Sequence, residues 1–208
     1  MASPVKAAED QPKPVNARRA ATRERICTAA NHLFFDYGFG AVTMEQVALA
    51  ADIQRSTLYL HFREKDEILA AIAEGYTARL RPVIARLAGP SPSREEIATW
   101  VQEFAVFVSR EREATELLVS LSHLPKAPAP AIAFGQDLLA MMAERLVAIR
   151  EALQPGNHTA RAWMIAVMDT LGWALCNHAR SGVTESSQAR LAVSAEGLYR
   201  FVCGDLQK

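Results

Sequence analysis

At 208 residues the chain is long enough to bury one sizeable core, or to divide into a small and a medium domain. Half of it is hydrophobic and Lys plus Arg balance Asp plus Glu at 23 each, which excludes a wholly disordered or uniformly basic chain. Binding to a polyanion would therefore have to come from local placement of charge. The cysteines Cys27, Cys176 and Cys203 show no C-x-x-C or Cys/His spacing, which argues against a disulfide framework or zinc site. The longest apolar run, Ala162 to Met168, is far short of the roughly 20 residues of a membrane span. These features predict a cytoplasmic protein with no metal, no cofactor and no membrane partner.

Residues 1–17, with Pro4, Pro12 and Pro14 among small and charged residues, read as a disordered arm. From about Arg19 to Tyr37 the apolar residues Ile26, Ala29, Ala30, Leu33 and Phe34 recur at helical spacing, and Gly38 and Gly40 end the run. Thr43 then stands at a helix start: Gln46 three residues on completes a capping box, and Val42 with Val47 makes a hydrophobic staple. The helix is short, because Ala51-Asp52-Ile53 interrupts it. A second short helix follows, with Leu58 and Phe62 one turn apart on its inner face. Two short helices joined by a tight turn over Thr43 to Phe62 make a helix-turn-helix candidate.

Beyond it, Ile68, Leu69, Ile72, Tyr76 and Leu80 trace a long amphipathic helix that Pro82 should kink or end. Gly89-Pro90-Ser91-Pro92 reads as a loop, and Ser93 with Glu96 caps the next helix. A short helix around Leu117–Leu121, a stiff loop at Pro125, Pro128 and Pro130, and one helix from Leu138 to Leu153 come next. Helices from about Asn157 to Arg180 and from about Ser186 to Val202 close the chain. No strand pattern or internal repeat occurs. The expected fold is all-α with about nine helices, divided into an arm (1–17), a three-helix unit holding the helix-turn-helix (18–65) and a larger helical domain (66–208).

With Leu58 and Phe62 turned inward, the second short helix presents Arg55, Ser56, Tyr59 and Leu60 outward. These types suit DNA. An arginine can grip guanine with two hydrogen bonds, and a leucine can pack on a thymine methyl. Thr57, Tyr59 and His61 offer donors to phosphate, and Thr43 and Lys65 lie at helix N-termini, where free N–H groups already favour anions. Arg18, Arg19, Arg23 and Arg25 cluster where the first helix begins; they fit either a DNA-facing patch or a solvated helix face.

The segment Thr43 to Lys65, above all Thr57-Leu58-Tyr59-x-His61-Phe62 followed by Lys65 and Ile68-Leu69, resembles the DNA-binding region of the tetracycline-repressor (TetR) family. Tyr37-Gly38-Phe39 also looks like that family's exit from its first helix. The resemblance covers about residues 19–72. It implies phosphate contacts at Thr43, Thr57, Tyr59 and Lys65, and base contacts at Arg55, Ser56 and Leu60. Asp52 stands where the family usually has Gly in the turn, and Ser56 where Gly is frequent. Asp tolerates the left-handed conformation better than most residues.

The helix from Asn157 to Arg180 is apolar nearly all round and must be covered on several sides. The resemblance implies that it and the last helix form a four-helix interface in a homodimer on a palindromic double-stranded operator. Trp100, Phe104, Met142, Trp163 and Trp173 are candidates to line an apolar pocket for a small-molecule effector. Asp169 is either its polar anchor or a hydrogen-bonded structural residue. The expected function is a transcription regulator, a repressor released by its ligand. A constitutive DNA-binder, or a helical enzyme or interaction protein, remains open, although no catalytic motif such as G-x-S-x-G, H-E-x-x-H or a P-loop is present.

Overall fold

A computed structural model describes residues 14–87 and 89–205. Its first helix, α1 (Pro14–Tyr37), begins five residues before the expected Arg19, so the end of the expected arm is helical; residues 1–13 lie outside the described residues. Ile26, Ala30 and Phe34 form the buried stripe of α1, and Gly38, at φ +84°, ends it with its N–H on the Phe34 carbonyl.

The next helix, α2 (Met44–Ala50), starts at the capping box: Thr43 Oγ1 accepts from the Gln46 N–H at 3.2 Å, while Gln46 Oε1 accepts from the Thr43 N–H at 2.8 Å. Val42 and Val47, the staple pair, are both buried. Asp52 turns the chain at φ +52°, the left-handed region, and leads into α3 (Arg55–His61). This three-helix unit is joined to the body by α4 (Lys65–Ala85) and by a contact between α1 and α6 (Arg112–Ser122).

The body continues with α5 (Arg94–Arg110), α7 (Ala129–Arg145), α8 (Val147–Ala152), α9 (His158–Ser181) and α10 (Glu185–Val202). Helix α4 packs on α5, α6 and α7, while α9 is flanked by α5, α6, α8 and α10. One apolar core runs from α1 to α10 without interruption.

The described residues hold ten helices rather than about nine. The expected Leu138–Leu153 helix is two, because Leu146 takes an extended conformation at ψ 114° between α7 and α8. Pro130 is not in a loop: Pro128 caps α7 and Pro130 sits in its first turn, where a missing N–H costs nothing. Pro82 does not end α4, which runs on to Ala85. The carbonyls freed at that frayed end are taken up by side chains: Trp100 Nε1 donates to Val83 O at 2.9 Å, and Arg145 Nη2 donates to Leu87 O at 2.9 Å.

Charged side chains brace the joints. Arg79 on α4 grips Glu111, at the α5–α6 corner, through two hydrogen bonds of 2.8 Å. Glu116 on α6, 9% exposed, accepts from Arg112 at 3.0 Å and from Arg180 of α9 at 2.8 Å. Burial alone would raise the Glu116 carboxyl, but the two guanidinium groups outweigh it and hold the pKa below the ordinary value.

Candidate DNA interface and effector cavity

Helix α3 is anchored by Leu58, fully buried, and by Phe62 directly after it. That leaves Arg55, Ser56, Tyr59 and Leu60 exposed, as the spacing predicts, with Thr57 and His61 half-buried at the margins. Leu60 is 75% exposed, an apolar residue that nothing among the described residues covers. Leu49 of α2 is exposed too, a residue that sequence reasoning missed because it continues the apolar series of α2.

The polar groups of this surface are not all free. Arg55 Nη1 lies 2.9 Å from Glu45 Oε1 of α2, and its guanidinium covers the Tyr59 ring at 5.5 Å. Thr43 is exposed at its cap. Lys65, the first residue of α4, points its ammonium back into the domain: Nζ donates to Phe39 O at 2.7 Å and to Gly40 O at 3.4 Å, 5.0 Å from the Phe39 ring. The arginine cluster of α1 divides in two. Arg23 lies over the Phe62 ring at 4.2 Å and braces α1 against the end of α3. Arg18 and Arg25 line a surface hollow of about 370 Å³ with Thr22, Thr57 and His61. In that hollow burial, then Arg19 and Arg23, lower the His61 pKa, so the ring is neutral at pH 7 and can donate or accept.

A second site lies in the body, between α4, α5, α6, α7 and α9. It is a cavity of about 220 Å³ whose apolar wall includes Tyr76, Leu80, Phe104, Phe134, Met164 and Met168. Its polar rim carries Ser122, His123 and Asp169, while Thr115, also in the lining, is buried. Two of the six expected lining residues, Phe104 and Asp169, are there; four are not. Trp100 is buried with its indole N–H spent on Val83 O, and Met142 is fully buried in the core without lining the cavity. Trp163 and Trp173 face outward, 42% and 56% exposed, with Arg190 lying 5.1 Å over the Trp173 ring. The helical repeat puts Trp173 on the face of α9 opposite its buried Met164, Val167 and Leu171, while Trp163 borders the buried face one turn before Val167.

Asp169 stands at the edge between the cavity side and the outward side of α9, with its Oδ1 3.2 Å from His123 Nε2. His123 follows α6 directly as its C-cap. The two lie 46 residues apart, and no spacing rule could have joined them.

Two short helices at a tight turn, the second presented outward from a three-helix core, define a helix-turn-helix protein. Residues 26–72 match the family model described as bacterial regulatory proteins of the tetR family. The chain is 32% identical over 75 residues to an HTH-type transcriptional repressor of Mycobacterium tuberculosis, a match covering 36% of this chain and 40% of that protein. It is 29% identical over 117 residues to the HTH-type transcriptional regulator HbdR of an Aromatoleum species, 56% of this chain and 49% of the relative. The matches thus span less than half of each relative. The fold extends the likeness: a TetR-like transcriptional regulator from a Rhodococcus species superposes with a TM-score of 0.64 over 95% of this chain and 98% of its own, at 20% identity. Residues 26–72 thus resemble the helix-turn-helix region of the tetR family, and the whole fold is similar to that of solved TetR-like regulators. These relatives are named as regulators, not as enzymes. No described helix is long and apolar enough to cross a membrane.

Proposed function

We propose that the protein is a cytoplasmic DNA-binding transcription regulator, a homodimeric repressor released from a palindromic operator by a small molecule. The observation that carries this reading is α3: four exposed side chains, Arg55, Ser56, Tyr59 and Leu60, on a helix anchored from behind by Leu58 and Phe62. Arg55 and Leu60 carry the chemistry for base edges, Ser56 can serve either base or phosphate, and Thr43, Thr57, Tyr59 and His61 ring them with donors for phosphate. Lys65 acts first as a positioning residue, fixing the α1–α2 turn against the start of α4, and contacts phosphate only by exchanging one of its carbonyl partners.

In this reading residues 18–65 form the DNA-binding domain and 66–208 the sensing and dimerisation domain. Helix α9 exposes Trp163, Ile165 and Trp173 and α10 exposes Val193, and such apolar surface in water supports pairing with a second copy. A two-fold dimer would set its recognition helices about 34–36 Å apart, one turn of DNA. The cavity supports release. Tyr76 and Leu80 of α4 line it, and α4 begins three residues after Phe62. Helix α6 lines it too, while its Glu113 pairs with His32 of α1. A ligand that prefers one placement of α4 and α6 therefore biases the DNA-binding unit by that difference in affinity.

The test is binding to DNA flanking the protein's own gene across a salt series, with Arg55→Ala and Tyr59→Ala beside the wild type. The expected result is a sequence-specific complex that weakens steeply with salt and that both variants lose. Binding that is absent, or indifferent to salt and to both substitutions, would refute the reading.

A further inference from the structure

We propose that the cavity in the body takes a slender apolar carboxylic acid, whose carboxylate replaces that of Asp169 on the His123 imidazole. The proposal rests on the reading of this cavity as the effector site, and adds the chemical class of what it binds.

The deep end offers no free polar group. The Tyr76 and Thr115 hydroxyls pair at 3.0 Å, and Thr115 Oγ1 also lies 2.9 Å from the Glu111 carbonyl, so both are engaged within the protein. Burial pushes the Tyr76 phenol up, so it stays neutral. The remaining wall is aromatic, aliphatic or methionine, and Met164 and Met168 can adapt to the shape of a guest. Gly135 of α7 and Gly172 of α9 both line the space, and a Cβ built on either meets nothing within 4 Å. The void exists partly because two helices that could carry side chains there carry none. A cavity of about 150 Å³ holds a benzene ring, so about 220 Å³ suits a body of roughly nine non-hydrogen atoms.

Among the described residues the charged groups on the rim are His123 and Asp169, and they differ in how firmly they are held. His123 Nδ1 lies 2.7 Å from the Val119 carbonyl and 3.3 Å from the Ser122 hydroxyl, which is itself committed to Val119 O at 2.8 Å. A carbonyl only accepts, so Nδ1 carries a proton, and Nε2 faces a carboxylate. The ring is thus held as a two-proton donor with Nε2–H directed at the mouth. Among the described residues Asp169 has no second side-chain partner, and it is half-exposed, so it can turn into water at little cost. A ligand carboxylate takes its place and keeps the imidazolium paired. An amine would instead meet the imidazolium on the one carboxylate available, and an alcohol gains no ion pair.

Calorimetric titration of the purified full-length protein with octanoate, octan-1-ol and octylamine separates the classes, each having about ten non-hydrogen atoms or fewer, the size the void accepts. Octanoate should bind at least about tenfold tighter than octanol, the scale of one hydrogen bond to a charged group, with octylamine weakest. His123→Gln should bring octanoate and octanol to within about threefold of each other, and Asp169→Asn should preserve the preference, because it removes the competing carboxylate. Tighter binding of the amine or alcohol, or a preference for octanoate that survives His123→Gln, overturns the proposal. The same three probes are then added to the operator complex. If octanol binds and releases DNA as well as octanoate does, the cavity remains the effector site and the acid class is wrong. If none of them binds or releases DNA, both readings fall.

Discussion

Arg55, the first residue of α3, is joined to Glu45 of α2 by an ion pair of 2.9 Å that bridges the two helices of the motif. Both side chains are more than half exposed, so solvent screens the pair and it contributes little to stability. It matters more for binding, because the guanidinium must leave Glu45 to grip a guanine, and Glu45 repels phosphate besides. Glu45→Gln should therefore tighten operator binding by about two- to fivefold, the worth of one exposed pair. Arg55→Ala should weaken it by about 1–3 kcal/mol and relax specificity at one base pair. Operator titrations of both variants, with a scrambled site as control, check the two signs together.

Asp52 turns the chain between α2 and α3 at φ +52°, where the Cβ of most residues collides with the backbone. Asp52→Gly should leave the melting temperature and operator affinity close to wild type. Asp52→Val should destabilise by about 1–2 kcal/mol, the cost of placing an ordinary L-residue in that conformation. Thermal melts of the two variants decide it; equal stability would mean that the turn relaxes.

The helix-turn-helix was legible because its determinants are local. The Thr43–Gln46 box, the Val42–Val47 staple and the Leu58–Phe62 spacing each lie within a few residues, and each formed as the spacing dictates. The cavity was not. Trp100, Trp163 and Trp173 are the bulky aromatics a reader expects around a ligand, yet one braces α4 and two face water. What shapes the void is Gly135 and Gly172, residues conspicuous for having no side chain, together with a pair, His123 and Asp169, that only tertiary packing brings together. Periodicity tells which face of a helix is buried; it does not tell which part of the buried face is left unfilled. The break at Leu146 was hidden for a similar reason, since apolar spacing continues on both sides of it.

Lys65 allows a separation of positioning from direct contact. Its ammonium satisfies the Phe39 and Gly40 carbonyls from within the domain, and Lys65→Met would leave them without it. The variant should lose about 1–2 kcal/mol of stability, the scale of one charge-assisted hydrogen bond. Its operator affinity should fall with the slope of log affinity against log salt unchanged. A slope lower by about one unit would instead make Lys65 a phosphate contact in its own right.

Gly135 and Gly172 are helical, neither has positive φ, and open space surrounds the position of an added Cβ. Gly135→Ala and Gly172→Ala should each stabilise the protein by up to about 1 kcal/mol through helix propensity, read as a higher melting temperature. Gly172→Leu should fill the void and abolish the response to any effector while leaving operator binding intact. Retained release by Gly172→Leu would place the effector elsewhere.

The His123–Asp169 pair also gives stability a dependence on pH. The Val119 carbonyl, then Asp169, raise the His123 pKa above its ordinary value of 6.5. With the folded value above the unfolded one, the contribution is fully present below the unfolded pKa and is lost as pH rises through the folded value. Wild type should therefore exceed His123→Gln in stability by its widest margin at about pH 5.5, and the margin should shrink steadily toward about pH 8.5. Because both ring and carboxylate are more than half exposed, salt should narrow the margin at the acid end as well. Urea unfolding of the two proteins at four or five pH values resolves the trend. A margin that is flat, or that widens as pH rises, would mean that the ring is neutral in the folded protein and that the pair is a crossing of two side chains rather than an ionic contact.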